Sequence, residues 1–382
     1  MRAVVFPGQG AQRKGMGVDL FERYPRLVAQ ADAVLGYSLH HLCTDGADRL
    51  IDTRYTQPAL FVTGYLGYLD HEHRHGAPAM LAGHSIGEFV ALAAAGALDF
   101  VDALRLVDRR ARIMAGIRDG AMAAVIGPGR DEVDALITRL GVDGLEIANE
   151  NSPTQTIVAG LSGEIDAFVE RCREAGTRAV RLRVSGAFHS RHMRPAAAEF
   201  EQALREVAFQ PPRRPVVANV TARPHDGRIA DVMAAHLYSP VRWMQSVHAM
   251  LEAGVTEFVE IGPAPVLAPM IGEIRSTWKP PAVAAPVAVA HWPEFAPPPV
   301  TGPHATLAAS LHALYRQPAP RVADWAALWS QGQGVSGWPP LQPVAAPRAL
   351  RRQIRLAIEA LIPAAASAQH AHPSSHLHGR QP

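Results

Sequence analysis

The chain has 382 residues, room for two or three domains and a large buried core, so a small stapled scaffold is excluded. Lys+Arg total 37 against Asp+Glu 35, a formal net charge of +2 and too weak a field for nucleic-acid binding. Hydrophobic residues make up 48%, yet no run approaches the roughly 18 uninterrupted apolar residues of a bilayer span, so a globular protein without a membrane span is expected. Cys43 and Cys172 are too few for a disulfide framework or a four-cysteine zinc site and fit a reducing compartment. The opening Met1-Arg2-Ala3-Val4-Val5-Phe6 lacks the apolar run and cleavage site of a secretory signal, which places the expected location in the cytoplasm.

Residues 3–6 form a short apolar run ending at Pro7-Gly8-Gln9-Gly10, a buried strand delivered into a glycine-rich turn. Leu20, Phe21, Leu27, Val28, Ala31 and Val34 recur at spacings of three and four and predict an amphipathic helix. A second strand over 79–82 enters Gly83 and then a run rich in helix formers, 88–93. Strands alternating with helices point to a mainly parallel sheet covered on both faces, an α/β class.

Between 120 and 185 the pattern is self-contained: strand 121–126, helix 131–140, strands 145–148 and 155–159, helix 163–175 and strand 177–184. The order βαββαβ matches a split βαβ, ferredoxin-like module. Helix 193–207 and strands 216–220 and 257–261 then return to the first texture. The expected organisation is therefore a discontinuous large domain, 1–119 and 186–278, interrupted by a small domain over 120–185. Beyond about 279 the chain is rich in Pro and Ala, as in Ala296-Pro297-Pro298-Pro299, and reads as linker. Two helical stripes interrupt it, at 305–315 and, faced with arginine, at 348–361; the last dozen residues read as disordered.

Gly83-His84-Ser85-Ile86-Gly87 is a G-x-S-x-G sequence set between a predicted strand and a predicted helix. There, glycines permit a turn tight enough to expose the Ser85 hydroxyl, and the helix start directs amides at it. The alternative is an ordinary glycine turn with a serine cap. A serine nucleophile needs a base, and histidine has the matching pKa. His189 is the candidate because it follows the last strand of the small unit, where the chain returns to the large domain; by position alone, a structural histidine remains the alternative. The Gly8-Gln9-Gly10 turn lacks the third glycine of a dinucleotide loop and a P-loop's Gly-Lys ending, so nucleotide binding is disfavoured. Its amides could instead supply a second oxyanion donor. The clusters His71, His73, His75 and His370, His372, His376, His378 read as a polar helix end and a disordered tail, so no metal site is expected.

Taken together, Pro7-Gly8-Gln9-Gly10-Ala11-Gln12, Thr56-Gln57-Pro58-Ala59-Leu60-Phe61, Gly83 to Glu88, Arg109 to Met114, Gly186-Ala187-Phe188-His189-Ser190 and Glu260-Ile261-Gly262-Pro263 resemble the malonyl-CoA:acyl-carrier-protein transacylase family. That family includes the acyltransferases of polyketide synthases, and the likeness covers about residues 1–275. It implies an α/β-hydrolase-like large domain carrying a ferredoxin-like insert, with no cofactor. It also implies transfer of a malonyl group from malonyl-CoA to a phosphopantetheinylated acyl carrier protein through a seryl ester. By resemblance Ser85 is the nucleophile and His189 its base; the amides of Gln9 and Ile86 form the oxyanion hole. Arg110 grips the malonyl carboxylate, and Met114, Phe188 and His84 also contact substrate. Ile86 and Phe188 resemble the malonyl-selecting versions of their motifs.

The chain departs from the family at His236, where Gln or Asn is common near the catalytic histidine; His236 is expected to support His189. The segment Val322-Ala323-Asp324-Trp325-Ala326-Ala327-Leu328 resembles the linker that follows polyketide acyltransferases, and no ketosynthase or reductase sequence follows it. A free-standing acyltransferase serving synthase modules in trans is expected, with a fatty-acid role, a carrier-clearing hydrolase and a non-catalytic scaffold as alternatives.

Overall fold

The computed structural model describes residues 1–279, 306–307, 310–311, 322–333, 354 and 357. Two compact units divide the chain, Met1–Val289 and Ala290–Pro382. In the second, a helix over Val322–Gln331 covers the linker-like segment. Most of the stripes expected at 305–315 and 348–361, and the histidines of 370–378, lie outside the described residues.

Among the described residues the first unit contains eight strands: β1 (Arg2–Phe6), β2 (Met80–Gly83), β3 (Gly120–Ile126), β4 (Glu146–Ser152), β5 (Gln155–Leu161), β6 (Arg178–Arg181), β7 (Val216–Val217) and β8 (Glu257–Glu260). One sheet has the order β7-β2-β1-β8, with every pair parallel. Alternate side chains of its central strands enter two different cores. Val4, Phe6 and Leu81 pack on one face, and Ala3, Val5, Met80 and Ala82 on the other. A strand buried on both faces reads as an unbroken apolar run, as β1 and β2 do.

The second sheet is antiparallel, with order β4-β5-β3-β6. Its strands and the helices Arg130–Leu140 and Ser162–Glu174 follow one another as β3, helix, β4, β5, helix, β6. Ala121, Ala123 and Val125 of β3 pack on those helices with Val133, Leu136, Ile165 and Phe168. The alternate residues Met122 and Ala124 turn to the other face, where they line a cavity shared with Ser85 and His189. This sheet is tied to the large one through the segment before helix Trp243–Glu252: Val241 N–H donates to Ala148 O at 2.9 Å and Glu150 N–H to Val241 O at 2.9 Å.

Several expected boundaries move, each for a local reason. The single helix read through 20–34 is two helices, Val18–Arg23 and Pro25–Leu35, because Pro25 has no N–H to continue a helix and instead starts one. Helix 193–207 is a 3₁₀ turn, Arg191–Met193, followed by an α-helix, Arg194–Arg205, with Pro195 in its first turn. Strand β6 stops at Arg181; the Leu182 N–H still donates to Met122 O of β3 at 2.8 Å, and the Leu182 and Val184 side chains line the cavity. Strand β7 stops at Val217, since the chain turns back through Ala222, at φ +54°, to pair Val217 with Pro224. Strand β4 runs on to Ser152 through two irregularities opposite β5. Among the described residues no helix is long and apolar enough to cross a membrane.

Candidate active site

Strand β2 ends in Gly83, and helix Gly87–Ala94 begins four residues later. A Cβ on Gly83 would lie 1.9 Å from the Gly87 carbonyl carbon, and one on Gly87 would lie 2.2 Å from Phe6 O, so both positions require glycine. Ser85 sits between them at φ +51°, a left-handed conformation that costs a non-glycine residue of order 1–3 kcal/mol. The turn is pinned by Asn219, whose Oδ1 accepts the Ser85 N–H at 2.7 Å while its Nδ2 donates to Gly83 O at 2.6 Å. Strain held in place by such partners presents the hydroxyl at the carboxyl end of the parallel sheet, where open α/β sheets place their ligands.

Ser85 Oγ lies 2.8 Å from His189 Nε2. His189 Nδ1 lies 2.9 Å from the main-chain carbonyl of His236. A carbonyl can only accept, so Nδ1 carries the proton and Nε2 is left free to accept from the serine. His189 also adopts a left-handed backbone, φ +59°. Burial pushes its pKa down to about 3, and the nearby Arg110 charge and His84 add to that effect. The imidazole is therefore neutral at pH 7, the form a base requires.

Arg110 projects from helix Phe100–Gly116 and is fully buried. Its Nη1 donates to Gln57 Oε1 at 2.6 Å and its Nη2 to Ser85 Oγ at 3.2 Å. Nη2 also lies 3.4 Å from His236 Nδ1. Burial lowers its pKa to about 9, which leaves it a cation at neutral pH. The flanking Arg109 and Arg112 point outward, half exposed, to Glu199 and Asp108.

A cavity of about 260 Å³, the volume of some eight or nine waters, opens over Ser85 and His189. Gln9, His84, Ile86, Met114 and Phe188 line it. Gln9 follows β1 and Ile86 follows β2; the register Phe6 opposite Gly83 brings these two turns side by side. Gly8 admits that approach, because a Cβ there would come within 2.8 Å of His84 O. The Gln9 side chain is held by Thr53 Oγ1 at 3.2 Å. His84 Nε2 lies 2.8 Å from Asn151 Oδ1 of β4, with its ring edge-on to Trp243, and Gln57 Nε2 reaches Met114 Sδ at 3.3 Å.

All nine residues singled out in the sequence thus come together around one hydroxyl. His236 meets His189 through its main chain, while its ring stands at 87° to that of His189 with centroids 5.2 Å apart. Sequence reasoning gave no role to Asn219, Asn151, Gln57, Glu88 or His225. Glu88 is fully buried three residues after Ser85, and His225 Nε2 lies 2.8 Å from its Oε1. A carboxylate inside an otherwise apolar run, 88–93, was the available signal. Among the described residues no cluster of His, Cys, Asp and Glu could hold a metal ion.

The molecule is thus an α/β protein with a parallel sheet whose strand-to-helix turn offers a buried histidine and a buried arginine to one serine. Residues 3–289 match the family described as Acyl transferase domain, and the chain belongs to that family. Curated relatives include the polyketide biosynthesis protein ThaF of Burkholderia thailandensis, 45% identical over 278 residues that make up 72% of this chain and 24% of ThaF. Another is the polyketide biosynthesis malonyl CoA-acyl carrier protein transacylase PksC of Bacillus subtilis, 40% identical over 284 residues, 72% of this chain and 97% of PksC. The chain spans only about a quarter of ThaF and 37% of PksE, a further Bacillus subtilis relative. Among solved structures, malonyl CoA-acyl carrier protein transacylase from Burkholderia pseudomallei superposes with TM-score 0.70 at 43% identity, covering 73% of this chain and 99% of that one. A malonyl-transacylase in complex with a type II PKS acyl-carrier protein superposes with TM-score 0.68 at 36% identity, covering 72% and 93%.

Proposed function

We propose that the chain transfers a malonyl group from malonyl-CoA to the phosphopantetheine thiol of an acyl carrier protein through a Ser85 ester. The observation that carries this is the convergence on Ser85 Oγ of His189 Nε2 at 2.8 Å and Arg110 Nη2 at 3.2 Å. A neutral base activates the hydroxyl, and a buried guanidinium beside it suits an acyl group that ends in a carboxylate.

In the acylation step Ser85 Oγ attacks the thioester carbon as His189 Nε2 takes its proton, and the amides of Gln9 and Ile86 receive the oxyanion. Collapse breaks the C–S bond, and His189 returns the proton to the departing CoA sulfur. The carrier's thiol then gives its proton to His189 and attacks the malonyl-serine ester, which restores Ser85. Each oxyanion donor is worth about 3–4 kcal/mol in comparable enzymes. The imidazolium formed on the way is disfavoured by Arg110, so a malonyl carboxylate that neutralises the arginine also strengthens the base.

In this reading the large sheet and its helices, 1–119 and 186–278, form an α/β-hydrolase-like catalytic domain. The order β4-β5-β3-β6 of the βαββαβ unit, 120–185, supports a ferredoxin-like insert whose cavity face supplies Met122 and Ala124; residues 279–382 are linker and tail. Relatives named for polyketide biosynthesis, one matched over 97% of its length, favour a polyketide role in trans. Two buried free thiols suit a cytoplasmic setting.

The test is to expose the protein to malonyl-CoA, add a phosphopantetheinylated carrier and follow both masses. Malonyl should appear on the enzyme and move to the carrier. Rapid loss to water would instead indicate a hydrolase, and no adduct a scaffold.

A further inference from the structure

Among the described residues no carboxylate contacts Arg110, although it is fully buried. Its Nε has no hydrogen-bond partner among the described residues. An isolated buried cation costs several kcal/mol, so the fold must compensate it from further away. The geometry shows how. His236 Nδ1 faces Arg110 Nη2 at 3.4 Å, and Nη2 can only donate, so the imidazole proton sits on Nε2. That Nε2 lies 3.4 Å from Glu88 Oε2 and 3.4 Å from Asn219 Oδ1. Glu88 is itself anchored, with His225 Nε2 at 2.8 Å from Oε1 and the Asn219 N–H donating to Oε2 at 2.9 Å. It occupies the first turn of helix Gly87–Ala94, where the helix dipole favours a negative charge.

We infer that Glu88 is the counter-charge of Arg110, held one imidazole away by His236, so that the guanidinium stays cationic while its fork remains open to an incoming carboxylate. A carboxylate bonded directly to Arg110 would compete with the substrate; with no carboxylate nearby, the cation would be uncompensated. The inference rests on the malonyl-transfer reading above. Glu88 and the His236 ring are then positioning residues. They act through Arg110, never touch the thioester, and set the preference for acyl groups that end in a carboxylate. The main-chain carbonyl of His236, which orients His189, is unaffected by changes to its side chain.

The test compares malonyl-CoA with acetyl-CoA, the same thioester without the terminal carboxylate, in wild type, Glu88→Gln, His236→Leu and His236→Gln. Specificity constants for transfer to a phosphopantetheinylated carrier are measured, with Tm alongside. Glu88→Gln and His236→Leu should each lower the malonyl constant at least tenfold, mainly through KM, and leave the acetyl constant within about threefold. His236→Gln can accept from Arg110 and donate to Glu88, so it should keep the malonyl-to-acetyl ratio within about threefold of wild type. Should Glu88→Gln not fold, His236→Leu reads the same coupling, since it leaves the Glu88 bonds to His225 and Asn219 intact. Parallel loss of both substrates in the folded variants would overturn the inference, as would a His236→Gln ratio as low as that of His236→Leu. Wild type that takes no malonyl group would instead sink the proposed function, a result the variants cannot mimic.

Discussion

Acidification should destabilise this protein through its active site. His189 and His236 are buried and His84 is half-buried, and all three are held below the ordinary histidine value of 6.5, His189 at about 3 and His236 well down, in each case first by desolvation. A histidine depressed in the folded state binds its proton more readily when unfolded, so its contribution to stability is complete above 6.5. That contribution is lost as pH falls from 6.5 toward the folded value. At about 1.36 kcal/mol per pKa unit, one such imidazole removes about 1.4 kcal/mol between pH 7.5 and 5.5. The three together set a ceiling of roughly 4 kcal/mol, a large fraction of the 5–15 kcal/mol typical of a domain. Urea titrations at the two pH values measure the difference, with the midpoint read at constant m. Over the same interval the acylation rate per folded molecule should hold nearly constant, because His189 remains an unprotonated base. Stability that is flat or rises from pH 7.5 to 5.5 would refute the argument, and so would an acid limb of acylation centred on 6.5.

Replacing Arg110 by Ala should abolish the preference for malonyl over acetyl thioesters. Two charge-assisted bonds at about 1.5–3 kcal/mol each predict a loss of roughly 10²–10⁴-fold in kcat/KM for malonyl-CoA; specificity constants for the two thioesters check it. Gly83→Ala drives its Cβ into the Gly87 carbonyl, 1.9 Å away, so it should lower Tm and eliminate acylation even in the protein that remains folded. Malonyl-CoA should outcompete methylmalonyl-CoA by about 1–3 kcal/mol, because Ile86 and Phe188 line the cavity; equal specificity constants in a competition assay would reject that.

The serine turn was legible because its chemistry and its backbone need the same residues. Glycine at 83 and 87 is demanded by contacts with neighbouring backbone, and such positions stand out in a sequence. The βαββαβ order was equally readable from periodicity, since each of its faces packs on one partner. Boundaries failed where a second demand intervened, as beyond Arg181, where strand-like Leu182 and Val184 line the cavity and only the Leu182 N–H still bonds β3. Pro25 is a breaker whose effect was overridden in the reading by an apolar stripe that continues across it. The partners of Ser85 and Arg110 were hardest to foresee. Asn219 lies 134 positions from Ser85 and His236 lies 126 from Arg110, and no local pattern pairs residues at such separations. Without the resemblance, His189 was one of eighteen histidines; its distinction is a contact made only when the chain returns from the small sheet.

Intact-protein and peptide mass spectrometry after brief exposure to malonyl-CoA offers the most direct trial of the central idea. One malonyl group should be found, on the peptide bearing Ser85, and none on Ser85→Ala. A malonyl group on another residue, or an unmodified wild-type chain under conditions where it is folded, would contradict the account.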